Sequence, residues 1–367
     1  MALNATTHPI ASVRKELELD EPFSLPKSRS QNDIVKVSLA HYGRLATKRG
    51  SMCTNPLETP EEQHLRTKES LKVPIFGALI EKEGKSYLWD LGITKDYKYF
   101  SGLLKAFLDD VFTPVDLVPT SFAPRLVDEA GKGPIDAIFV SHAHSDHFGD
   151  PTAFPGDVPI IYGPGTAAWV QSGAPNVQLP REYLQQHPIL EVGTGALGNG
   201  KRWQRIGPFD KGWDFFGDGS LWLIQAPGHC LGCQVALCRV TASPDTYILL
   251  AGDAAHSQSH YAPVMAGGTY GLLGKIRLPG EPEDVPASHY AYDDSDAAYE
   301  TISKLIRLNR LGNVMTVAAH EYEMEAVLGM EPGDLSKPLT HWKATGLKEK
   351  KARLHLLPQR IPRAGLL

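Results

Sequence analysis

The chain has 367 residues, 42% of them hydrophobic and 22% charged, with a net charge of −5; this is the balance of an ordinary globular protein. No run approaches the roughly 20 apolar residues of a membrane span, and no basic patch or long charge run asks for nucleic acid. Four cysteines are too few for a disulfide scaffold.

Residues 1–35 are polar and irregular and read as a surface arm, of a kind that suits wrapping the body or a second copy in a homodimer. They lack the basic stretch and apolar core of a secretory signal, so a cytoplasmic protein is expected. Asp33 to Ala40 has partial alternation and predicts the first strand, and the polar stretch Lys48 to Pro56 predicts a lip beside a cleft. Val73 to Ile80 and Ser86 to Leu91 flank Glu83-Gly84-Lys85, a hairpin signal. Helical signals at Leu103 to Val111 and Ala123 to Ala130 precede a strand over Ile135 to Val140.

Directly behind that strand stands Ser141-His142-Ala143-His144-Ser145-Asp146-His147, four potential metal ligands in six residues. Imidazole is the commonest protein ligand for zinc, and a carboxylate two residues after a His-x-His pair lets a tight turn serve two centres. His142 and His144 can face one ion while Asp146 and His147 face a neighbour, the two ions about 3.5–4 Å apart. Three more apolar, β-prone runs end the same way: Leu221 to Ile224 before Gly228-His229, Tyr247 to Gly252 before Asp253, and Val314 to Ala319 before His320. Loops at strand ends are where folds carry their sites.

Other segments are less specific. Pro159 to Tyr162 reads as a strand, and the Gly163-Pro164-Gly165-Thr166 turn after it opens a helix; with no Gly-Lys-Ser/Thr it is not a phosphate loop. Cys230-Leu231-Gly232-Cys233 lacks the second half of a zinc site and reads as small-residue packing beside His229. Residues 256–292 form a 37-residue stretch carrying Tyr261, Met265, Tyr270, Tyr290 and Tyr292. A loop that long is usually functional, and Tyr261, Met265 and Tyr270 are candidates for an apolar substrate wall. Ser295 to Asn309 puts Ala298, Ile302, Leu305 and Ile306 on one helical face.

The order and spacing of His142 to His147, Gly228-His229, Gly252-Asp253 and His320 resemble the metallo-β-lactamase superfamily over roughly residues 70–325. The resemblance implies an α/β fold, an αβ/βα sandwich of two mixed β-sheets flanked by helices. It implies one domain over residues 36–345, with inserts at 179–218 and 256–292, an N-terminal arm over 1–35 and a C-terminal tail over 346–367. It assigns His142, His144 and His229 to one metal, Asp146, His147 and His320 to a second, and Asp253 as the bridge. An aspartate bridge looks like the binuclear hydrolase branch of lactonases and thioesterases. Asp90, which closes a strand in Asp90-Leu91-Gly92, reads as an orienter of a ligand histidine.

The chemistry implied is hydrolysis by hydroxide formed from water at two divalent cations. Zinc suits the donors best, with manganese, iron or cobalt as alternatives. The expected substrate is a cyclic ester or cyclic amide of a small metabolite, a lactone or lactam of secondary metabolism or detoxification. A thioesterase releasing an acyl or polyketide chain is the alternative, and an iron-dependent oxidoreductase on the same fold is a third reading. Asp146 is the candidate proton shuttle. His256 occupies the position at which related lactonases carry a substrate-contacting tyrosine, and is the second candidate for catalysis. The expected partner is a small molecule, with no nucleic acid and no membrane.

Overall fold

A computed structural model describes residues 22–356 apart from 57, 60, 63–68, 95–99, 119–121, 130, 175–176, 181, 199–200, 265–269 and 283–286. The first of its two large sheets is made of β1 (Lys36–Lys48), β2 (Ser70–Lys82), β3 (Lys85–Trp89), β4 (Thr113–Val115), β5 (Ile135–Phe139), β6 (Ile160–Tyr162) and β7 (Leu190–Glu191). The spatial order is β4-β1-β2-β3-β5-β6-β7. The second contains β8 (Gln204–Ile206), β9 (Phe209–Asp214), β10 (Leu221–Gln225), β11 (Gln234–Thr241), β12 (Thr246–Gly252) and β13 (Val314–Ala318), in the order β13-β12-β11-β10-β9-β8. Both sheets are mixed: β3, β5, β6 and β7 are parallel, as are β12 and β13, while the remaining pairings are antiparallel.

The helices that cover the sheets or carry site residues are α1 (Gly102–Asp110), α2 (Phe122–Glu129), the single turn α3 (Ser145–Phe148), α4 (Thr166–Ser172), α5 (Ser295–Arg310), α6 (Tyr322–Leu328) and α7 (Leu347–Leu356). Local chemistry sets several boundaries. The Ser101 hydroxyl accepts from the Leu104 N–H to start α1, and the Asp294 carboxylate accepts from the Ala297 N–H to start α5. Glu83 and Gly84 both have positive φ, as the two-residue turn joining β2 to β3 requires.

Alternation along the strands separates three apolar cores. On β12, Ile248 and Leu250 face the other sheet while Tyr247, Leu249 and Ala251 face α5. On β5, Ala137 and Phe139 face the second sheet and Ile138 turns to the helical side with Leu104, Leu108, Val127, Trp169 and Val170. Strands covered on both faces have no polar stripe, which is why their sequences are continuous apolar runs. The result is four layers, helix, sheet, sheet, helix, the sandwich the sequence led us to expect.

Some segments differ in detail from expectation. The first strand runs from Lys36 to Lys48, past the predicted end at Ala40. Residues 256–292 are not structureless: a short helix covers Gln258–Tyr261, Leu272–Leu273 pairs with Cys53–Thr54, and Lys275–Ile276 pairs with His289–Tyr290. Two-residue strands are too short to show any periodicity. The described part of the N-terminal arm is fixed to the second sheet, where the buried Arg239 donates to the Pro26 carbonyl (2.7 Å) and the Asp33 carbonyl (3.0 Å).

Candidate metal centre

β10, β12 and β13 run in one direction, and β3 and β5 share another common direction, so five strands deliver their C-terminal ends to one edge. Beyond β5 the chain turns at Ser141 and His142 and enters α3, with His144 as its N-cap. The His-x-His pair therefore sits on the turn while Asp146 and His147 sit on the first helical residues. Two glycines permit the close approach. A Cβ on Gly252, whose φ is +49°, would stand 2.7 Å from Ser141 Cβ, and one on Gly228 would stand 2.3 Å from the Ala298 backbone.

Around Asp253 the donor atoms fall into two sets. His144 Nδ1 lies 3.0 Å from His142 Nε2 and 2.9 Å from His229 Nε2, and Asp253 Oδ2 is 3.6 Å from His229 Nε2. On the other side Asp253 Oδ1 is 3.3 Å from both His147 Nε2 and His320 Nε2, while Asp146 Oδ2 is 3.5 and 3.3 Å from the same two nitrogens. The structure thus brings together all seven residues singled out as ligands, and Asp253 turns one oxygen to each set.

The donors fit cations rather than one another. His144 Nδ1 faces two imidazole nitrogens, and a neutral ring nitrogen has one lone pair or one proton to offer. His147 Nε2 and Asp253 Oδ1 are buried without a hydrogen-bond partner, which is costly unless a positive ion satisfies both. The outer nitrogens are already committed. His147 Nδ1 donates to Asp90 Oδ2 at 2.9 Å and His320 Nδ1 to the Pro74 carbonyl at 2.8 Å, leaving each Nε2 to face inward. Asp90 also accepts from the Ser141 N–H (2.6 Å) and hydroxyl (2.8 Å), and it holds a left-handed backbone, φ +57°, to do so.

Electrostatics divides the sets. Burial, then neighbouring histidines, holds His142 and His229 well below the usual imidazole range. Burial would lower His147 and His320 too, but the Asp253 and Asp146 carboxylates outweigh it, raising His147 well above that range and His320 to about 10. Burial would raise Asp146 and Asp253, yet the facing histidines keep both well below the usual carboxylate range.

His256 is 4% exposed, with Nε2 3.2 Å from Asp253 Oδ2 and Nδ1 buried without a hydrogen-bond partner. Its ring lies against Tyr292 (centroids 4.7 Å apart), whose hydroxyl accepts from the His256 N–H at 3.1 Å. Tyr292 also meets His229 edge-on. Sequence reasoning gave Tyr292 no such role, since nothing in its spacing links it to the ligands. The proposed substrate wall fares differently. Tyr261 is 1% exposed within the core beneath α5, its hydroxyl donating to the Thr316 carbonyl and accepting from Lys351 Nζ. Tyr270 packs on the same core and its hydroxyl accepts from Arg310, while Met265 lies outside the described residues. Cys230 and Cys233 are free and buried, and the Cys230 sulfur lies with the His142 and His144 donors in a group whose atoms are all within 4.8 Å of one another. Burial, then Cys233, pushes the Cys230 thiol up.

Comparisons with known proteins give the family. The family model of the metallo-beta-lactamase superfamily matches residues 73–320. The chain is 29% identical to "Metallo-hydrolase mfmC" of Annulohypoxylon moriforme over 305 residues, covering 76% of this chain and 77% of that one. It is 28% identical over 367 aligned positions to "Gamma-lactamase FDB1" of Fusarium pseudograminearum, covering 91% and 84%. Its fold is similar to that of a solved N-acyl homoserine lactone hydrolase with N-hexanoyl-L-homoserine bound at its catalytic metal center, at TM-score 0.54 and 18% identity over 80% of this chain and 96% of that one. With the family match reaching from β2 to His320, this chain belongs to the metallo-beta-lactamase superfamily and is one of its metal-dependent hydrolases.

Proposed function

We propose that the protein opens a γ-lactam or γ-lactone ring of a small metabolite, using two zinc ions held by His142, His144 and His229 and by Asp146, His147 and His320, with Asp253 shared. The observation that carries the reading is the division of seven donors into two sets around the two oxygens of Asp253. The cyclic amide is favoured by the Fusarium relative, named a gamma-lactamase and aligned over most of both chains. When bound, such ions lower the pKa of water from about 15.7 toward about 7 and polarise a carbonyl.

The chain's own groups supply the rest. Asp146 is the more open of the two carboxylates, 15% exposed at its side chain against 6% for Asp253. Ionised, it can take a proton from the attacking water and return it to the leaving atom. A bond forms between the water oxygen and the acyl carbon, the ring C–N or C–O bond breaks, and the transferred proton ends on the released nitrogen or oxygen. His256, steadied by Tyr292 and with Nε2 3.2 Å from the shared Asp253 carboxylate, stands beside the donor cluster and is suited to contact the substrate there through that nitrogen.

The test is a hydrolysis screen of the zinc-loaded protein across γ-lactams, γ-lactones and acyl thioesters. Turnover of the cyclic substrates, lost on chelation, is the expected result. Inert lactams and lactones beside rapid thioester cleavage would replace this reading with a thioesterase.

A further inference from the structure

His320 is followed by Glu321, which is completely buried although it is a carboxylate at the N-cap of a helix. Glu321 makes no side-chain cap to its own helix and reaches Lys351 Nζ instead, at 2.8 Å. Lys351 is itself 1% exposed. Its three protons have three acceptors: Glu321 Oε2, the Tyr261 hydroxyl at 2.9 Å and the Thr316 carbonyl. The ammonium therefore joins Thr316, inside β13, to Glu321, across the turn that carries His320.

The lysine comes from α7, which runs beside β13. That strand is the edge of the second sheet, with one row of carbonyls lacking a neighbouring strand. Carbonyls two residues apart on a strand point the same way, and lysines three apart on a helix share a face. Lys348 Nζ accordingly takes the Val314 carbonyl at 2.7 Å and Lys351 the Thr316 carbonyl. In this way α7 closes the sheet edge and fixes the turn beyond it.

We propose that Lys351 and Glu321 are positioning residues for the metal subsite of Asp146, His147 and His320, so that α7 is part of the hydrolase site rather than a tail. This rests on His320 holding a metal, as proposed above. An anchored Glu321 fixes the backbone one peptide bond from His320, and partners behind a metal ligand commonly set affinity by about 10–100-fold.

The experiment compares wild type, Lys351→Met, the double variant Glu321→Gln/Lys351→Met and His320→Ala, each purified zinc-loaded. Zinc retained is measured against rising chelator, alongside the melting temperature. Lys351→Met leaves a buried carboxylate unpaired and is expected to lower the melting temperature, whereas the double variant leaves neither charge unpaired and should recover it. The proposal expects both to release one of their two zinc ions at about ten-fold or more lower chelator, the same ion that His320→Ala loses. A double variant that holds both ions as firmly as wild type, while His320→Ala loses one, overturns the proposal and leaves the ligand assignment standing. If His320→Ala keeps both ions, the ligand assignment fails and the proposal with it. Should Lys351→Met not fold, the double variant alone decides.

Discussion

Replacing Asp90 by Asn would keep an acceptor oxygen for the Ser141 N–H but turn Oδ2, which accepts from both the His147 ring N–H and the Ser141 hydroxyl, into an NH2 donor. Asp90→Asn is therefore expected to weaken metal binding by about 10–100-fold, measured by competition with a chromogenic chelator; unchanged affinity would mean that His147 is oriented by something else. At His256 the outcome should differ. His256→Phe should keep both metals and lose about 10²-fold or more in kcat on a ring substrate, and a fall in metal content instead would make His256 a ligand. Asp146→Asn should lower kcat more than it raises KM, because proton transfer belongs to the transition state; metal content measured in parallel separates this from ligand loss. The proposed ligands were legible because His142, His229, Asp253 and His320 follow apolar runs and the rest stand close behind His142, and Asp90 because it ends such a run too. Tyr292 was not, since it reaches His256 and His229 only through the fold of the insert.

Among the elements, β5, β10, β12 and β13 could be read from sequence because both faces are covered, so each is dominated by an apolar run, broken only by single polar residues such as Asp136 and Thr316. Leu249, fully buried between β12 and α5, should cost about 2–5 kcal/mol as Leu249→Ala in denaturant unfolding of the metal-free protein. Gly252→Ala should be worse placed than its small size suggests, because the new methyl meets Ser141, the residue that fixes Asp90. Reduced metal affinity together with a lower midpoint is expected, and a midpoint equal to wild type would contradict the close approach. α7 was not legible as part of the site. Its Lys348, Lys350 and Lys351 look like a solvated charge run, and only the open edge of β13 explains why Lys348 and Lys351 turn inward. The ribbons of the insert escaped for another reason, being two residues long.

For the molecule as a whole, the two sheets contribute separate members of the proposed ligand set. His142, His144, Asp146 and His147 follow β5 of the first, while His229, Asp253 and His320 follow strands of the second. Bound metals would link the sheets across the edge of the sandwich, beyond the apolar contacts that already hold them together. Binding to the folded state alone stabilises by about 2.7 kcal/mol when free metal is a hundred times its Kd. Chelation should then lower the melting temperature while the far-ultraviolet circular dichroism at low temperature is kept. The central claim is that seven donors form two centres around one shared aspartate, and the amount of metal per chain tests it most directly. Elemental analysis of the protein purified with zinc and freed of excess should give two ions per chain, falling to one in His320→Ala. One ion or none in the wild-type protein would contradict the binuclear account.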